Sequence, residues 1–470
     1  HDAVGRLLVA WFQEGSAAGL WGVLYDNRDG GHSRLRANRF PQLTHIRYGD
    51  TARRLGLDRQ LATAILHEGG VVIGNASLAA TTGPFWRSLP RLAHSNPQTM
   101  ALFYAMYRTH RLYIHPAHLD FPREASSAPR SDPQRRDVFF AQAPYLLVSR
   151  GSSGSDQPFL EAVASTLAAF SPAVRRALHD RGLLMPAVQR LLRRHSRGVK
   201  TEEDYLSGLA HPPAFSSEAL QVEAMVRAAH AMTLMDLPPW AELRVVEEDR
   251  PRPGRDYFEA EGRTEDLFTT PAAVARIFRG VARWRRYVLS ADGSSDPNGY
   301  PLTFHWRLLQ GDPQRIVIRP FGDRNAQAEI RIAWHEPFSA ASEPSVTTSR
   351  VDIAVFADNG RHPSAPAFFT VYFPPAEERT YGPDDRILSV RYHRSDGPRY
   401  TDPVLYTPRE WTDIYRYDEA GHPAGWKRML SDREEVYDAE GRRATPEGAW
   451  RPVTYRVVAG AGVPRLEPAP

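Results

Sequence analysis

Four stretches of this 470-residue chain carry residue types that could do chemistry. The densest is Asp26-Asn27-Arg28-Asp29-Gly30-Gly31-His32-Ser33, following the strand-like Trp21–Tyr25. Two carboxylates, a guanidinium and an imidazole within eight residues can supply an acid, a base and an anion clamp. In that reading His32 is the general base or acid, Asp26 or Asp29 orients it, and Arg28 holds an anionic group. The same residues also suit a turn closed by local side-chain bonds.

The second stretch is Val148-Ser-Arg-Gly151-Ser152-Ser153-Gly154-Ser155-Asp156, between a buried strand and a helix. Hydroxyls and backbone N–H groups gathered at a helix N-terminus can place a serine nucleophile or bind an anion. Ser153 is the expected nucleophile with Ser152 behind it, and Gly154 and Ser155 are the expected binding positions. The spacing misses the Gly-x-Ser-x-Gly elbow by one residue, and no lysine follows to make a phosphate loop. Helix capping by Ser155 or Asp156 accounts for the same residues.

The third, His115-Pro-Ala-His118-Leu-Asp120, offers two imidazoles and a carboxylate to a divalent metal, with His67 or Glu68 as a further ligand. Pro116 prevents a regular helical turn there. The fourth lies further on, where Asp292, Asp296, Asn298 and Asp358 could hold Ca²⁺ through oxygen. Asx-rich turns without an ion use the same residues.

Alternating strand and helix patterns precede these clusters. Helices are expected over Val4–Phe12, Leu57–Leu66 and Pro97–Tyr107, and strands over Thr44–Tyr48, Val71–Gly74, Leu112–His115 and Pro144–Val148. After the helix Pro158–Phe170 the pattern is helical to about Met235. The fold class is therefore multidomain. An N-terminal α/β domain, with a mixed or parallel sheet and helices, spans 1–237 and closes a core of its own at Pro238-Pro239. The two polar loops should meet at one sheet edge, because parallel strands carry their C-terminal ends to the same side. Residues 238–284 connect, 285–375 form a β-sandwich, and 376–470 form a small unit rich in β-hairpins.

Within 285–375, Ser290-Ala-Asp-Gly-Ser-Ser-Asp296-Pro-Asn-Gly299 runs into an alternating strand ending at Trp306, and a later strand ends in Asp358-Asn359-Gly360. These motifs resemble a PKD-type immunoglobulin-like domain. The resemblance implies a sandwich with Phe304, Trp306, Val351, Ile353 and Val355 turned inward, on an extracellular multidomain protein. Tyr417-Asp-Glu-Ala-Gly421 recurs as Tyr437-Asp-Ala-Glu-Gly441, which resembles the YD repeats of extracellular Rhs-like proteins. His1 resembles the copper-binding N-terminal histidine of lytic polysaccharide monooxygenases, but the helical Val4–Phe12 departs from their initial strand.

Composition narrows the rest. There are no cysteines, so disulfides, thiolate metal sites and cysteine nucleophiles are excluded. No apolar run reaches transmembrane length. A net charge of +4 over this length, without charge blocks, argues against nucleic acid as partner. The basic residues are almost all Arg, with Lys200 and Lys427 the only lysines. That bias follows from a GC-rich genome or from recognition of carboxylate and phosphate. With no Met at its start, the chain reads as a mature form whose signal peptide has been removed, placing it outside the cell, in the periplasm or on the cell surface. The expected function is an exported modular hydrolase, requiring no cofactor, that acts on an extracellular polymer or its fragments. The alternative is a non-enzymatic binding, adhesion or envelope-assembly protein whose partner is a cell-envelope component.

Overall fold

The computed structural model describes residues 2–59, 70–77, 79–82, 85–118, 139–340, 343–393, 401–458 and 465–469. A five-stranded sheet lies at the centre of the N-terminal part. Its order is Thr44–His45, Val23–Arg28, Val71–Ala76, Arg111–Pro116, Leu147–Ser149, and every pair is parallel. Val71–Ala76 is central and buried along its whole length, as parallel strands covered on both faces are. The helix Gln157–Ala169 packs on this strand and against helices Ala3–Gln13 and Val222–Ala231, while helix Pro97–Arg108 packs on Arg111–Pro116. The expected strands over Trp21–Tyr25 and Pro144–Val148 are both shifted toward their C-terminal ends. Asp26, Asn27 and Arg28 therefore belong to a strand and not to the loop after it.

Gly74 fixes how two of these strands meet. A Cβ there would lie 2.4 Å from the Asp26 carbonyl oxygen and 2.7 Å from the Tyr113 ring. Without it, Tyr113 lies across the strand and its hydroxyl donates to Asp26 at 2.5 Å.

Among the described residues beyond 237 the sheets are antiparallel, apart from one parallel pair between Ala273–Ile277 and Ala367–Tyr372. A five-stranded sheet runs Thr303–Gln310, Arg350–Asp358, Ala367–Tyr372, Ala273–Ile277, Asp266–Thr270. A four-stranded sheet runs Ile316–Phe321, Gln327–Ala333, Trp284–Ser290, Arg244–Glu248. One core joins them, with Phe304, Trp306, Val351, Ile353 and Val355 on one side and Tyr287, Leu289, Ile330 and Ile332 on the other. Strand alternation turns these residues inward.

The structure corrects two boundaries. Residues 238–284 are not a connecting segment, because they supply Arg244–Glu248, Asp266–Thr270 and Ala273–Ile277 to the two sheets. Nor do residues 1–237 close a core of their own. Leu267, Phe268, Ala275 and Tyr372 are buried in the same cluster as the parallel sheet and its helices. The outer face of the five-stranded sheet is covered too, with Ala354, Phe356 and Phe368 packed against Tyr205 and Leu206. That face meets the α/β part, so Pro238-Pro239 ends helical sequence without ending a domain core.

Arg350 and Asp352 lie at this seam, both fully buried. The Arg350 Nε donates to both Asp352 oxygens at 2.9 Å, and its Nη1 donates to the Phe139 carbonyl at 2.6 Å. Gln142 Nε2 and Thr370 Oγ1 donate to the same carboxylate at 3.1 and 2.8 Å.

The C-terminal part is a seven-stranded antiparallel meander from Glu377–Tyr381 to Trp450–Arg451, followed by the pair Tyr455–Val458 and Arg465–Pro468. The recurring Tyr-Asp motif marks two hairpins with one turn geometry. In one, Asp418 N–H donates to the His422 carbonyl and Gly421 N–H to that of Asp418; Asp438, Arg442 and Gly441 repeat the pattern. Gly421 and Gly441 take φ of 82° and 83°, a region glycine enters at no steric cost.

Because the Asp352 carboxylate serves groups from both sides of the seam, Asp352→Ala leaves a buried guanidinium uncompensated. The expected loss is about 3–5 kcal/mol, read from urea unfolding. Tryptophan fluorescence and far-UV dichroism should still report one transition. Two separate transitions would show that the parts fold independently.

Candidate functional site

The C-terminal edge of the parallel sheet gathers three loops. Ser33 Oγ, after the first strand, donates a short hydrogen bond to the Asp156 carboxylate at the start of helix Gln157–Ala169. His118 N–H donates to the Gly151 carbonyl at 2.9 Å, and Ala117 N–H to that of Ser149 at 2.8 Å. The Asp26–Ser33 and Gly151–Ser155 loops are thus tied together, with the residues after His115 joined to them.

At their meeting point lies a chain of hydroxyls and an imidazole. Ser77 Oγ is 2.5 Å from His118 Nε2 and 3.0 Å from Ser153 Oγ. Ser77 follows the central strand directly, and Ser153 is exposed. His118 takes a positive φ of 38°, a conformation uncommon outside glycine. Burial pushes its pKa down and the Asp156 charge partly offsets that, so the ring is biased to the neutral form that can accept a proton.

Asp29 faces this group. Burial raises its pKa to about 6, and the Asp156 charge adds to the rise. His32 and the Ser77 and Ser153 hydroxyls work in the opposite direction. Its Oδ2, the Asp156 Oδ2 and both amide atoms of Asn75 are buried and have no hydrogen-bond partner among the described residues. Such a concentration of unpaired polar atoms and perturbed acidity is characteristic of sites that act on a ligand.

Other expected site residues stand elsewhere. Asp26 and Arg28 are buried and bonded to each other at 2.7 Å, and Tyr48 and Tyr113 hydroxyls donate to the same carboxylate at 2.6 and 2.5 Å. They brace the sheet beneath the loops and cannot orient His32 or clamp an anion. His32 is exposed, its Nδ1 2.9 Å from the Asp29 carbonyl and 3.8 Å from its carboxylate. Ser152 lies in the exposed turn, accepting from Ser155 N–H. Ser155 Oγ bonds Ser149 Oγ at 2.8 Å, and Gly154 supplies a positive φ of 96° with open space around it. Neither Ser155 nor Asp156 caps the helix with its side chain; Asp156 is directed to Ser33 instead.

The proposed metal ligands are also separated. His115 is next in register to Ala76, so alternation sends it to the opposite face from Ser77. There it packs edge-on against Phe103, and its Nδ1 is 3.0 Å from the Ala76 carbonyl. Asp120, His67, Glu68 and His1 lie outside the described residues. Among the described residues no three metal-ligating side chains converge. In the β part, Asp292 accepts from Ser290 and Gln327. Asp296 accepts from the Asn298 and Tyr300 N–H groups and from Asn359. Asp358 serves Gly360 N–H and His305. These bonds account for the same carboxylates as local turn contacts.

Ser77 and Asn75 are the residues that motif spacing missed, and Asp156 was read only as a helix cap. The signal for the first two was available: polar residues ending an apolar run, Val71-Val-Ile-Gly-Asn75-Ala-Ser77, at the edge where parallel sheets build sites.

No family model matches the chain, and no curated protein matches it in sequence. Among solved structures it is similar to a nucleoside hydrolase-related hypothetical protein from Saccharophagus degradans associated with carbohydrate metabolism. The identity is 10%, with 75% of this chain and 99% of that chain covered and a TM-score of 0.21. A likeness at that score carries no argument about fold or activity.

The raised Asp29 pKa has a stability consequence. The folded protein holds this proton more tightly than the unfolded chain, so stability falls as pH rises from about 4 to about 6. Asp29→Asn removes that cost. The variant should be more stable than the parent above about pH 7, on the order of 1–2 kcal/mol after allowance for solvent screening. The gain should vanish below about pH 4. Denaturant midpoints across that range test it, and a gain independent of pH would contradict the assignment.

Proposed function

We propose that the α/β part is a serine-dependent hydrolase and that the β parts position it on an extracellular polymer or its fragments. The observation that carries this is the Ser153–Ser77–His118 hydrogen-bond chain beside Asp29, at the sheet edge where parallel folds place their active sites. In this reading His118 Nε2 takes the Ser77 proton as Ser77 Oγ attacks an ester carbonyl carbon. Ser153 donates a hydrogen bond to the oxyanion. Asp29, in its protonated form, gives its proton to the departing alkoxide. Water then attacks the acyl-serine, giving a proton to the Asp29 carboxylate as the Ser77 Oγ–acyl bond breaks and His118 returns its proton to Ser77 Oγ.

Two further features support the modular setting. Asp296 bonds Asn359 at 2.8 Å, tying together the two turns on which the PKD resemblance rests. The Tyr-Asp hairpins share one turn, in keeping with a short run of YD-type repeats. Secretion or display at the cell surface belongs to the same reading. The competing reading is a binding or envelope-assembly protein in which these loops only turn. It is favoured by the Ser33–Asp156 and Ser149–Ser155 bonds, which close the loops on themselves.

A panel of chromogenic esters, glycosides and peptides with the full chain comes first. On the substrate found, Ser77→Ala and His118→Ala should each lower kcat by about 10³-fold or more, and Ser153→Ala by about 10²-fold. His32→Ala should leave it within about twofold, since His32 touches no serine in this scheme. Because Asp29 must carry its proton, kcat/KM should fall above about pH 6. Unchanged turnover in both Ser77→Ala and His118→Ala would replace this reading with the binding-protein one.

A further inference from the structure

A second site is indicated inside the protein, away from the sheet edge. Arg193, on helix Leu184–Arg194, is among the largest fully buried side chains, with Arg28, Arg91, Arg350 and Arg428. Those four pair with Asp26, Asp402, Asp352 and Asp413. Among the described residues, no carboxylate pairs with Arg193. Its Nη1 donates to His211 Nδ1 at 3.3 Å. The other nitrogen of that ring lies 2.5 Å from the Tyr205 carbonyl, which fixes it as the N–H. His211 is therefore a neutral partner, and burial beside Arg193 holds its pKa well below the usual value.

Polar groups around Arg193 are left without partners. Arg193 Nε, Tyr107 Oη and both amide atoms of Gln189 are buried without a hydrogen-bond partner among the described residues. Gln189 and Arg193 stand four apart on one helix face. Tyr107 approaches from helix Pro97–Arg108, close enough for its charge state to couple to Arg193. Arg190, on the same helix, is buried as well and donates to the Pro363 carbonyl rather than to an acid. Phe215 and Phe368 cover the guanidinium at 4.9 and 5.7 Å. Burial brings the Arg193 pKa down to about 10, so it stays charged at neutral pH. A desolvated cation without a counter-charge is among the costliest arrangements in a folded protein.

We propose that Arg193, Gln189 and Tyr107 bind a small monovalent anion, chloride in the first instance, buried at the seam between the α/β part and the five-stranded sheet. The three unpaired donors would surround it, and its charge would neutralise the guanidinium.

Thermal unfolding of the full chain in sodium chloride and in sodium gluconate, at equal ionic strength, tests this. The midpoint should rise with chloride, each tenfold increase above the dissociation constant lowering the unfolded fraction about tenfold. Arg193→Met should abolish the difference between the two salts. Should that variant fail to fold, crystals of the unaltered chain grown in bromide decide, with an anomalous peak expected against Arg193 Nε and Gln189 Nε2. Equal midpoints in the two salts, no bromide peak, or a carboxylate of the chain at that position would each overturn the proposal.

Discussion

The buried pair of Arg350 and Asp352 is the interaction on which the rest of the molecule depends. Strand Arg350–Asp358 is covered on both faces: one faces the core between the two antiparallel sheets, the other faces the α/β part. The ion pair there is held by hydrogen bonds from both sides, which offset part of the cost of burying its charges. Its partners from the α/β part are Phe139 and Gln142, just upstream of strand Leu147–Ser149. Tyr145, in the same stretch, bonds Thr270 Oγ1 of the β part at 2.9 Å. The segment that feeds the Gly151–Ser155 loop is therefore anchored on the β sheets. The position of Ser153 relative to Ser77 is set partly from beyond residue 237, which is why a boundary at Pro238-Pro239 would cut through the support of the site.

Two aspartates three residues apart show how surroundings separate structural from chemical roles. Asp26 is met by a guanidinium and two tyrosine hydroxyls, which engage both of its carboxylate oxygens. Asp29 is met by burial and by a second carboxylate, and its proton becomes easier to keep. The residue type is the same, and one lies in the strand while the other opens the loop after it. Asp29, whose acidity is moved toward neutrality, is suited to proton transfer.

This distinction marks what was legible in the sequence. The alternation that gave a parallel α/β sheet is a strong signal, and most helices lie within a few residues of their expected spans. The meeting of the two polar loops followed from strand direction alone. Roles within the meeting point did not follow. A shift of strand Val23–Arg28 by a few residues turned Asp26 and Arg28 from loop into sheet, and boundaries are where periodicity is weakest. His118 was visible, but its partner was not, because Ser77 lies in no motif and reaches His118 only through the order of strands in the sheet. Strand-like sequence was legible over Ala241–Glu247, and a short helix or strand over Ala272–Arg279, but not the places these take in the two sheets. Arg244–Glu248 is largely exposed and Ala273–Ile277 is buried throughout, so neither shows the inside-outside alternation that would have tied it to one face.

The scarcity of lysine gains a physical meaning in the folded chain. Whatever its genomic origin, a guanidinium can do inside a protein what an ammonium cannot, because its flat fork meets a carboxylate edge-on while its faces lie on aromatic rings. Arg428 shows both at once. Its Nε and Nη2 donate to the two Asp413 oxygens at 2.7 and 2.9 Å, and its centre lies 4.2 Å from the Trp411 ring and 4.3 Å from that of Phe258. Arg379 repeats the arrangement with Glu377 and Trp334. In each case the acid supplies the charge and the ring supplies the packing. Arg193 has the rings, in Phe215 and Phe368, and lacks the acid. A negative charge at Arg193 would complete the same arrangement, and no carboxylate among the described residues provides one.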